Sequence, residues 1–150
     1  MNNYKSAAIC DLIISKRLDI LAITEIWLSG DHHVNNTIAE ILNTLNDFDF
    51  HHVPRVNRVG SGIGVLRRKG FKVSRNEWQP FSSMECMDLL INHGSSFIRL
   101  VTIYRPPRSK KNRTTPSTFF QVFPSLLETV SLTSGYLLIN GDYNFHMEFT

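Results

Sequence analysis

The sequence predicts an α/β protein, because segments with helical periodicity alternate with short apolar segments of strand length. An amphipathic segment from Tyr4 to Lys16 is followed at once by the apolar run Leu18 to Thr24. A central group of strand-like runs follows, each bounded by Gly, Pro, Asn or Ser. A helix-like segment after Pro116 then precedes a last apolar run. Helices that flank strands in this order predict a layered α/β or α+β architecture.

The first elements follow from the spacing of apolar residues. In the first helix, residues Ala7, Ile9, Cys10, Ile13 and Ile14 recur at helical spacing. The run Leu18–Thr24 is almost continuously apolar, which is typical of a strand buried on both faces of a sheet. Apolar residues repeat again from Asn36 to Leu45, and this predicts a second helix with Asn35 or Asn36 as its N-cap.

The later elements are bounded by turn residues. The predicted strands are Phe48–Val53, Gly62–Arg67, Phe71–Arg75, Met84–Ile91 and Phe97–Tyr104, and we expect sequential ones to pair antiparallel. The polar, Pro-interrupted segment Arg105–Arg113 predicts an exposed loop. Thr115 and Pro116 should begin a helix, which Pro124 should bend or interrupt. Tyr136–Ile139 is expected to be a final buried strand.

Composition bounds the class of protein without deciding its function. The chain has 150 residues, 42% of them hydrophobic and 19% charged, which predicts one globular domain with a core. No secretory signal or transmembrane run is visible, so we expect an intracellular protein that does not enter a membrane. Cys10 and Cys86 have no ligand spacing, and we expect buried thiols and no disulfide-linked partner. A net charge of +3 slightly favours anionic partners such as nucleic acid.

Polar side chains stand where three predicted buried strands end. Glu25 follows LDILAIT, Tyr104 ends FIRLVTIY, and Asp142 with Asn144 follows YLLIN. Strand ends hold side chains rigidly at a cleft, and carboxylate and amide oxygens are the ligands that Mg²⁺ prefers. Each residue alone has an ordinary explanation as a turn former, a cap or a packing residue. Their repetition favours metal-assisted phosphate chemistry.

Four motifs in order resemble one family. LDILAITEIWL, GSGIGVLRRKG, VTIYRPPRSKKN and YLLINGDYNFHME are similar to conserved segments of the endonuclease/exonuclease/phosphatase superfamily. The form of these segments resembles the apurinic-type endonuclease domain of LINE-like (non-LTR) retrotransposons. The resemblance covers essentially the whole chain. It implies a partial four-layer α/β sandwich, in which residues 1–150 form the N-terminal half and the first strand and the C-terminal half are missing.

The resemblance also implies a role for each strand-end residue. Glu25 matches the glutamate that binds Mg²⁺, or Mn²⁺ in its place. Asp142 would orient or activate the attacking water, and Asn144 would contact the phosphate. Tyr104 matches a tyrosine that donates a hydrogen bond to a phosphoryl oxygen. The implied partner is DNA, which the basic residues Arg105, Arg108, Lys110, Lys111 and Arg113 could contact along its backbone.

The expected function is therefore that of a fragment of a Mg²⁺-dependent DNA endonuclease of retrotransposon origin, monomeric if folded and nuclear if functional. Because the family's C-terminal Asp and Asp-His pair are not in this chain, we expect the chain alone to be inactive. One alternative is a nucleic-acid-binding or structural remnant without catalysis. A lipid or inositol phosphatase of the same superfamily is a second alternative. The histidine pairs His32-His33 and His51-His52 are not expected to bind metal, because adjacent side chains point in different directions.

Overall fold

The chain divides into two compact units, residues 1–72 and 73–150. The structure, a computed structural model, describes residues 3–26, 32–53, 62–107 and 115–145. Each unit contains its own sheet, and the described residues together form three helices and seven strands. The predicted mixed α/β class is thus confirmed. Among the described residues, no helix is both long enough and apolar enough to cross a membrane.

The N-terminal unit is a three-stranded antiparallel sheet with two helices. Its elements are α1 (Asn3–Lys16), β1 (Ile20–Thr24), α2 (His32–Thr44), β2 (Phe48–Val53) and β3 (Ile63–Arg68). The strand order is β1-β3-β2, with Ile20 and Phe48 opposite Arg67 and Arg68. Apolar residues of both helices pack on the sheet. The buried residues of this core, from helices and sheet together, are Cys10, Ile13, Ile41, Leu45, Phe48 and Leu66. The helical spacing seen in the sequence therefore marks the faces that form this core.

Two expectations for this unit are wrong. The second helix begins at His32, so Asn35 and Asn36 lie inside it and neither is its N-cap. The polar segment before Thr37 shows no apolar repeat, and the sequence pattern consequently missed the first turn. The strand β1 is half-buried along its whole length instead of buried on both faces. This fits its place as the outer strand in the described sheet.

The C-terminal unit is a mixed sheet with one helix. Its elements are β4 (Lys72–Asn76), β5 (Glu85–His93), β6 (Ser96–Tyr104), α3 (Pro116–Ser131) and β7 (Tyr136–Asp142). The order is β4-β5-β6-β7, and β5 pairs antiparallel with β6 as the sequence predicted. The strands β6 and β7 are parallel, which requires a crossover, and α3 supplies it. On α3, the residues Phe119, Leu126 and Val130 are buried against Val101 and Ile103 of β6.

The helix α3 begins where the sequence predicted. The side chain of Thr115, at the N-cap, accepts a hydrogen bond from Thr118 N at 3.3 Å. The helix continues through Pro124, so the predicted interruption does not occur. A proline inside a helix costs about 3 kcal/mol through its lost hydrogen bond and ring clash. Burial of Phe119 before this proline and Leu126 after it offsets that cost.

A buried ion pair fastens the connection between α3 and β7. The carboxylate of Asp88, fully buried on β5, accepts hydrogen bonds from Arg99 Nη2 at 2.7 Å and Trp78 Nε1 at 2.9 Å. A second guanidinium nitrogen, Arg99 Nη1, donates to the hydroxyl of Thr133, between α3 and β7. The bond to Asp88 raises the pKa of Arg99. Because each charged group is paired, the cluster stabilises this connection instead of straining it.

The strand β7 is less buried than predicted. Tyr136 and Leu138 are 71% and 53% exposed, and Leu137 is 37% exposed. The reason is topological, since β7 is the last strand in the described sheet order. An apolar run alone does not distinguish a central strand from an outer one. The final strand is thus an exposed apolar edge.

Candidate functional site

Two predicted site residues meet at the carboxyl ends of the parallel strands β6 and β7. Tyr104 on β6 and Asp142 on β7 are directly opposite each other in the register. The backbone continues this pairing, because Arg105 N donates to Asp142 O at 2.8 Å. Tyr104 is 3% exposed, whereas Asp142 is partly buried. Parallel strands that end together bring these two side chains to one edge of the sheet.

Glycine is required immediately before Asp142. Gly141 has a φ of +149°, and a Cβ added there would lie 1.8 Å from the carbonyl oxygen of Ile103. Any other residue would collide with the backbone of β6, which cannot move without breaking the register. This close approach keeps β7 paired with β6 up to Asp142. The glycine of the Asn-Gly-Asp sequence therefore fixes the position of the carboxylate.

The residues after Asp142 form a hydrogen-bonded turn. Asp142 Oδ1 accepts a hydrogen bond from Asn144 N at 3.0 Å. Asn144 has a φ of +48°, a conformation that asparagine tolerates better than most residues. Its side chain donates from Nδ2 to the carbonyl oxygen of Arg105 at 3.0 Å. The amide oxygen of Asn144 consequently points away from that carbonyl. The turn thus brings Tyr104, Asp142 and Asn144 into one small region.

Arg105 holds this turn from inside the protein. It is 3% exposed, and its Nη1 donates to the carbonyl oxygens of Tyr143 and Asn144, both at 3.0 Å. Its guanidinium carbon lies 4.3 Å from the ring centroid of Phe145 and 6.0 Å from that of Phe119. Its Nε is buried with no hydrogen-bond partner among the described atoms, as expected for a guanidinium covered by aromatic rings. Arg105 is consequently a positioning residue for the turn.

This position changes the interpretation of the basic segment. Arg105 and Pro106 are buried, so the predicted exposed loop does not begin at Arg105. The guanidinium of Arg105 is occupied by carbonyl oxygens and therefore does not present a surface charge to DNA. Arg108, Lys110, Lys111 and Arg113 lie outside the described residues. The sequence did not signal this burial, because the two rings that lie by the guanidinium, Phe119 and Phe145, belong to other segments of the chain.

Aromatic rings pack beneath the turn. Tyr143 is edge-on to Phe119 and Phe123, with centroid separations of 6.1 and 6.0 Å. Burial raises the pKa of the Tyr143 hydroxyl, and the nearby thiol of Cys86 raises it further. The tyrosine therefore remains neutral at physiological pH. The ring of Tyr143 fills the space under the turn.

A second pair of polar residues lies one step earlier on the same face of the sheet. Thr102 on β6 and Asn140 on β7 are opposite each other, two residues before Tyr104 and Asp142. Thr102 Oγ1 and Asn140 Oδ1 are buried, and neither has a hydrogen-bond partner among the described atoms. Buried polar atoms are usually paired, so an amide oxygen in this state can accept a further ligand. The sequence analysis did not single out Asn140.

Glu25 lies in the N-terminal unit, directly after β1. Its side chain is exposed, and its φ of +56° is uncommon for a residue with a Cβ. The following residue, Ile26, is 1% exposed and anchors this strained backbone. Glu25 and Lys5 both line a cavity of about 510 Å³, whose other lining residues are Ala8, Ile9, Ile23, Thr24 and Ile26. The glutamate is thus accessible to an ion or a ligand.

Within the described ranges, no group of three or more His, Cys, Asp or Glu side chains could hold a metal ion. His51 does not provide such a ligand, since its Nε2 accepts a hydrogen bond from Arg67 Nε at 3.0 Å. His52 stacks on Phe50 with a centroid separation of 5.8 Å. The described side chains that could bind a metal ion would therefore do so through oxygen atoms, and each location offers few such ligands. Mg²⁺ accepts such sites, because it commonly keeps several waters and uses one or two carboxylates.

Comparison with known proteins identifies the family. A sequence profile of the Endonuclease/Exonuclease/phosphatase family matches residues 1–150. The chain belongs to this family. The comparison with curated proteins finds no significant match.

Solved structures of the endonuclease/exonuclease/phosphatase family share the fold. TDP2 from C. elegans superimposes with a TM-score of 0.71 at 15% identity, covering 96% of this chain and 43% of that one. The human Nocturnin catalytic domain gives 0.63 at 13% identity, covering 97% and 58%. The mannosyl-6-phosphatase Bt3783 from Bacteroides thetaiotaomicron gives 0.63 at 14% identity, covering 94% and 57%.

At these identities the likeness shows the fold alone. The superfamily predicted from the four sequence motifs is confirmed by the profile match over residues 1–150. The chain spans about half the length of the solved structures it matches, from 43% to 58% of those described here. None of these three structures is a retrotransposon endonuclease by its description, so they support the shared fold and not that particular branch.

Proposed function

We propose that this chain forms part of a divalent-metal-dependent phosphodiesterase that cleaves DNA, of the kind encoded by LINE-like retrotransposons. The observation that carries the proposal is the pairing of Tyr104 and Asp142 at the ends of two parallel strands, with Asn144 bonded to Asp142. Membership of the family supports phosphoester chemistry, which its phosphatase and endonuclease names describe. The retrotransposon branch rests on the form of the TEIWL and YRPP segments.

Each residue has a proposed role. Asp142 would orient or activate the attacking water, since a carboxylate fixed at a strand end is suited to hold one proton of that water. Asn144 would contact the phosphate by donating the second N–H of its Nδ2, or through a water. Tyr104 would donate a hydrogen bond to a phosphoryl oxygen, and such a bond stabilises charge that develops during hydrolysis. Glu25 would provide a carboxylate ligand for the metal ion.

The proposed metal is Mg²⁺, with Mn²⁺ as a substitute. Members of the family are generally dependent on a divalent metal. The donor chemistry of each unit, taken separately, fits such an ion. The carboxylate of Glu25 is a hard ligand in the N-terminal unit, and the carboxylate of Asp142 and the amide oxygen of Asn140 are hard ligands in the C-terminal unit. The ion would act as a Lewis acid and polarise a phosphoryl oxygen.

DNA is the proposed substrate. TDP2 from D. rerio, solved in complex with a single-strand DNA product, matches this chain with a TM-score of 0.62 at 13% identity. The net charge of +3 favours a polyanion. The basic residues Arg108, Lys110, Lys111 and Arg113 would contact the DNA backbone, whereas Arg105 would act through the turn. A monomer that acts in the nucleus is the simplest form of this proposal.

Two other functions remain as candidates. A nucleic-acid-binding or structural remnant without catalysis is supported by the net charge of +3, which favours an anionic partner whether or not a reaction follows. A phosphatase for lipids, inositols or sugars is favoured by the fold similarity to the mannosyl-6-phosphatase from B. thetaiotaomicron. A substrate panel of plasmid DNA, single-stranded DNA and inositol phosphates separates the three functions.

The decisive experiment is nicking of supercoiled plasmid in Mg²⁺ and in EDTA. We would assay the chain alone and the chain joined to the C-terminal half of a homologous domain. The joined protein should nick in Mg²⁺, and the chain alone should be inactive or nearly so. Asp142→Asn should abolish nicking, and Glu25→Gln should raise the Mg²⁺ concentration needed. Asp11→Asn, a matched change of an exposed carboxylate on α1, should have no effect.

Two results would contradict the proposal. Nicking that survives Asp142→Asn would show that the Asp142 carboxylate takes no part in the hydrolysis. DNA binding without any nicking by the joined protein would favour the non-catalytic alternative. Tyr104→Phe provides a narrower test, since an unchanged rate with intact folding would make Tyr104 a packing residue only.

A further inference from the structure

An exposed pair of aromatic rings lies beside the turn that contains Asp142 and Asn144. Phe120 on α3 is 58% exposed, and Phe145, the residue after Asn144, is 37% exposed. Their rings are nearly parallel, with an interplanar angle of 12° and a centroid separation of 5.4 Å. Large exposed aromatic side chains that stack on each other are uncommon on a soluble surface unless they contact something. We call this pair the Phe120–Phe145 platform.

The platform is held from below. The buried ring of Phe119, 1% exposed, meets both rings edge-on, at 5.5 Å from each and with interplanar angles of 78° and 74°. The guanidinium of Arg105 lies 4.3 Å from the Phe145 centroid, a cation–π contact. That guanidinium also bonds the carbonyl oxygens of Tyr143 and Asn144. The rings are therefore seated by buried groups, so little ordering entropy would be lost when a ligand stacks on them.

The same residue connects the platform to the candidate site. Arg105 bonds Asp142 O through its backbone and supports Phe145 through its side chain. A group stacked on the platform would consequently lie next to the turn proposed to contact a phosphate. A nucleotide has both parts, a flat base and a phosphate, within one residue. Aromatic rings beside a phosphate site are typical of proteins that bind single-stranded nucleic acid.

We infer that the Phe120–Phe145 platform stacks an unpaired nucleobase of a single-stranded nucleic acid held at the Asp142 turn. The inference rests on the proposed function for the location of the phosphate, and it adds that the substrate is unpaired there. A base inside a duplex has both faces covered by its neighbours, so only an unstacked base can occupy the platform. The positive net charge of the chain complements the polyanionic strand.

Binding measured without metal tests the platform separately from hydrolysis. We would measure fluorescence anisotropy of oligothymidine DNA, oligouridine RNA and a DNA duplex with the full chain in EDTA. Phe120→Ala and Phe120→Leu should each weaken binding of the single strands about tenfold, because stacking on one ring is lost. Phe120→Trp should retain the affinity, since it keeps an aromatic face. Duplex binding should be the same for all variants. The DNA and RNA arms show which sugar the site accepts.

Leu132→Ala is the matched control. Leu132 is 87% exposed and follows α3 directly, so it represents an exposed apolar residue without a stacked partner. Its truncation should not change binding. Because Phe120 lies on the exposed side of a helix, its variants should fold normally, which circular dichroism would verify. The slope of log affinity against log salt should also be unchanged by Phe120→Ala, since no phosphate contact is lost.

An oligothymidine with abasic sites at its centre completes the test. The wild-type chain should bind the abasic strand about tenfold more weakly than the intact strand. Phe120→Ala should bind the abasic strand as well as the wild-type chain does, because the stacking contact is already lost. Full affinity of Phe120→Leu for the intact strand would overturn the inference. An equal loss of affinity for the abasic and the intact strand on Phe120→Ala would also overturn it. So would self-association that Phe120→Ala abolishes, because the platform would then be a protein interface. Failure of plasmid nicking would leave these binding results unaffected, so the two proposals fail separately.

Discussion

The end of β1 in the N-terminal unit and the ends of β6 and β7 in the C-terminal unit both carry candidate site residues, but they are built differently. Asp142 is bonded to Asn144 through its side chain and to Arg105 through its backbone. Glu25 is exposed and follows a half-buried outer strand. The comparison shows that a parallel neighbour and a buried arginine fix one strand end. At the other end, a single buried residue, Ile26, anchors a strained backbone.

This difference has a consequence for mutations. Changes around the Asp142 turn should alter both structure and function, because the side chains that support the turn belong to the core of the C-terminal unit. A change of Glu25 should alter ligand binding with little effect on stability.

The largest effect should come from the buried ion pair. Arg99→Ala should lower the free energy of unfolding by about 3–5 kcal/mol, because it leaves the fully buried Asp88 without its cation. The matched control is Arg75→Ala, whose partner Glu77 is exposed, and it should cost at most about 1 kcal/mol. Urea denaturation measures both. Equal effects of the two variants would mean that the buried pair does not anchor the connection between α3 and β7.

Gly141→Ala should be the next most damaging change. The added Cβ would collide with Ile103 O at a backbone φ of +149°, so we expect a loss of about 3 kcal/mol. Gly70→Ala is the control, because a Cβ there would meet nothing within 4 Å. It should be neutral or slightly stabilising. Thermal or urea unfolding compares the two. A neutral Gly141→Ala would show that β7 is not held against β6 at this position.

Arg105→Met should have a smaller effect on stability and a clear effect on the turn. It removes two hydrogen bonds to carbonyl oxygens, so the free energy of unfolding should fall by about 2 kcal/mol. The amide signal of Asn144 should shift or broaden in an NMR spectrum, since the turn loses its support. Arg105→Lys keeps the charge without the planar fork. It should therefore recover only part of the lost free energy of unfolding and only part of the wild-type Asn144 signal. Full restoration by lysine would indicate that charge alone matters.

Cys86 provides the smallest predicted effect, on the pH dependence of stability. Burial, followed by the charge of Asp88, raises the pKa of Cys86 from 9.0 to about 12 although Arg99 opposes this. A raised folded-state pKa gives stability that is complete below pH 9.0 and is lost as pH rises toward about 12. At pH 10 the loss should be about 1 kcal/mol. Cys86→Ala should remove that component, and an identical pH profile for both chains would contradict it.

The sequence predicted elements with strong periodicity or unambiguous boundaries. Helix α1, strand β2 and the Thr115 N-cap are where they were expected, because apolar spacing and a capping residue act locally. Pro124 was predicted to bend or interrupt α3, and the interruption does not occur, since burial on both sides of a proline depends on tertiary packing. The apolar run Tyr136–Ile139 was predicted to be a buried strand, whereas β7 is exposed as the last strand of the described sheet order, because strand order is not encoded in one strand.

The candidate site was predictable to a similar degree. Tyr104 and Asp142 were expected at strand ends, and the parallel register of β6 and β7 brings them opposite each other. The burial of Arg105 was not expected, because its neighbours in the sequence are basic and Pro-rich, whereas its neighbours in space are aromatic. A cation that bonds carbonyl oxygens between distant segments can be recognised only when those segments are folded together.

Metal binding at the Asp142 turn is the most direct test of the proposed chemistry. We would add Mn²⁺ at substoichiometric amounts to the ¹⁵N-labelled chain and follow paramagnetic broadening of the amide signals. Broadening should occur around Glu25, the proposed metal ligand, and for residues 142–144 with the end of β6. Glu25→Gln should weaken the first effect and Asp142→Asn should abolish the second, while Asp11→Asn should change neither. Broadening that is absent from this turn, or that is unchanged in Asp142→Asn, would contradict a metal-dependent role for these residues.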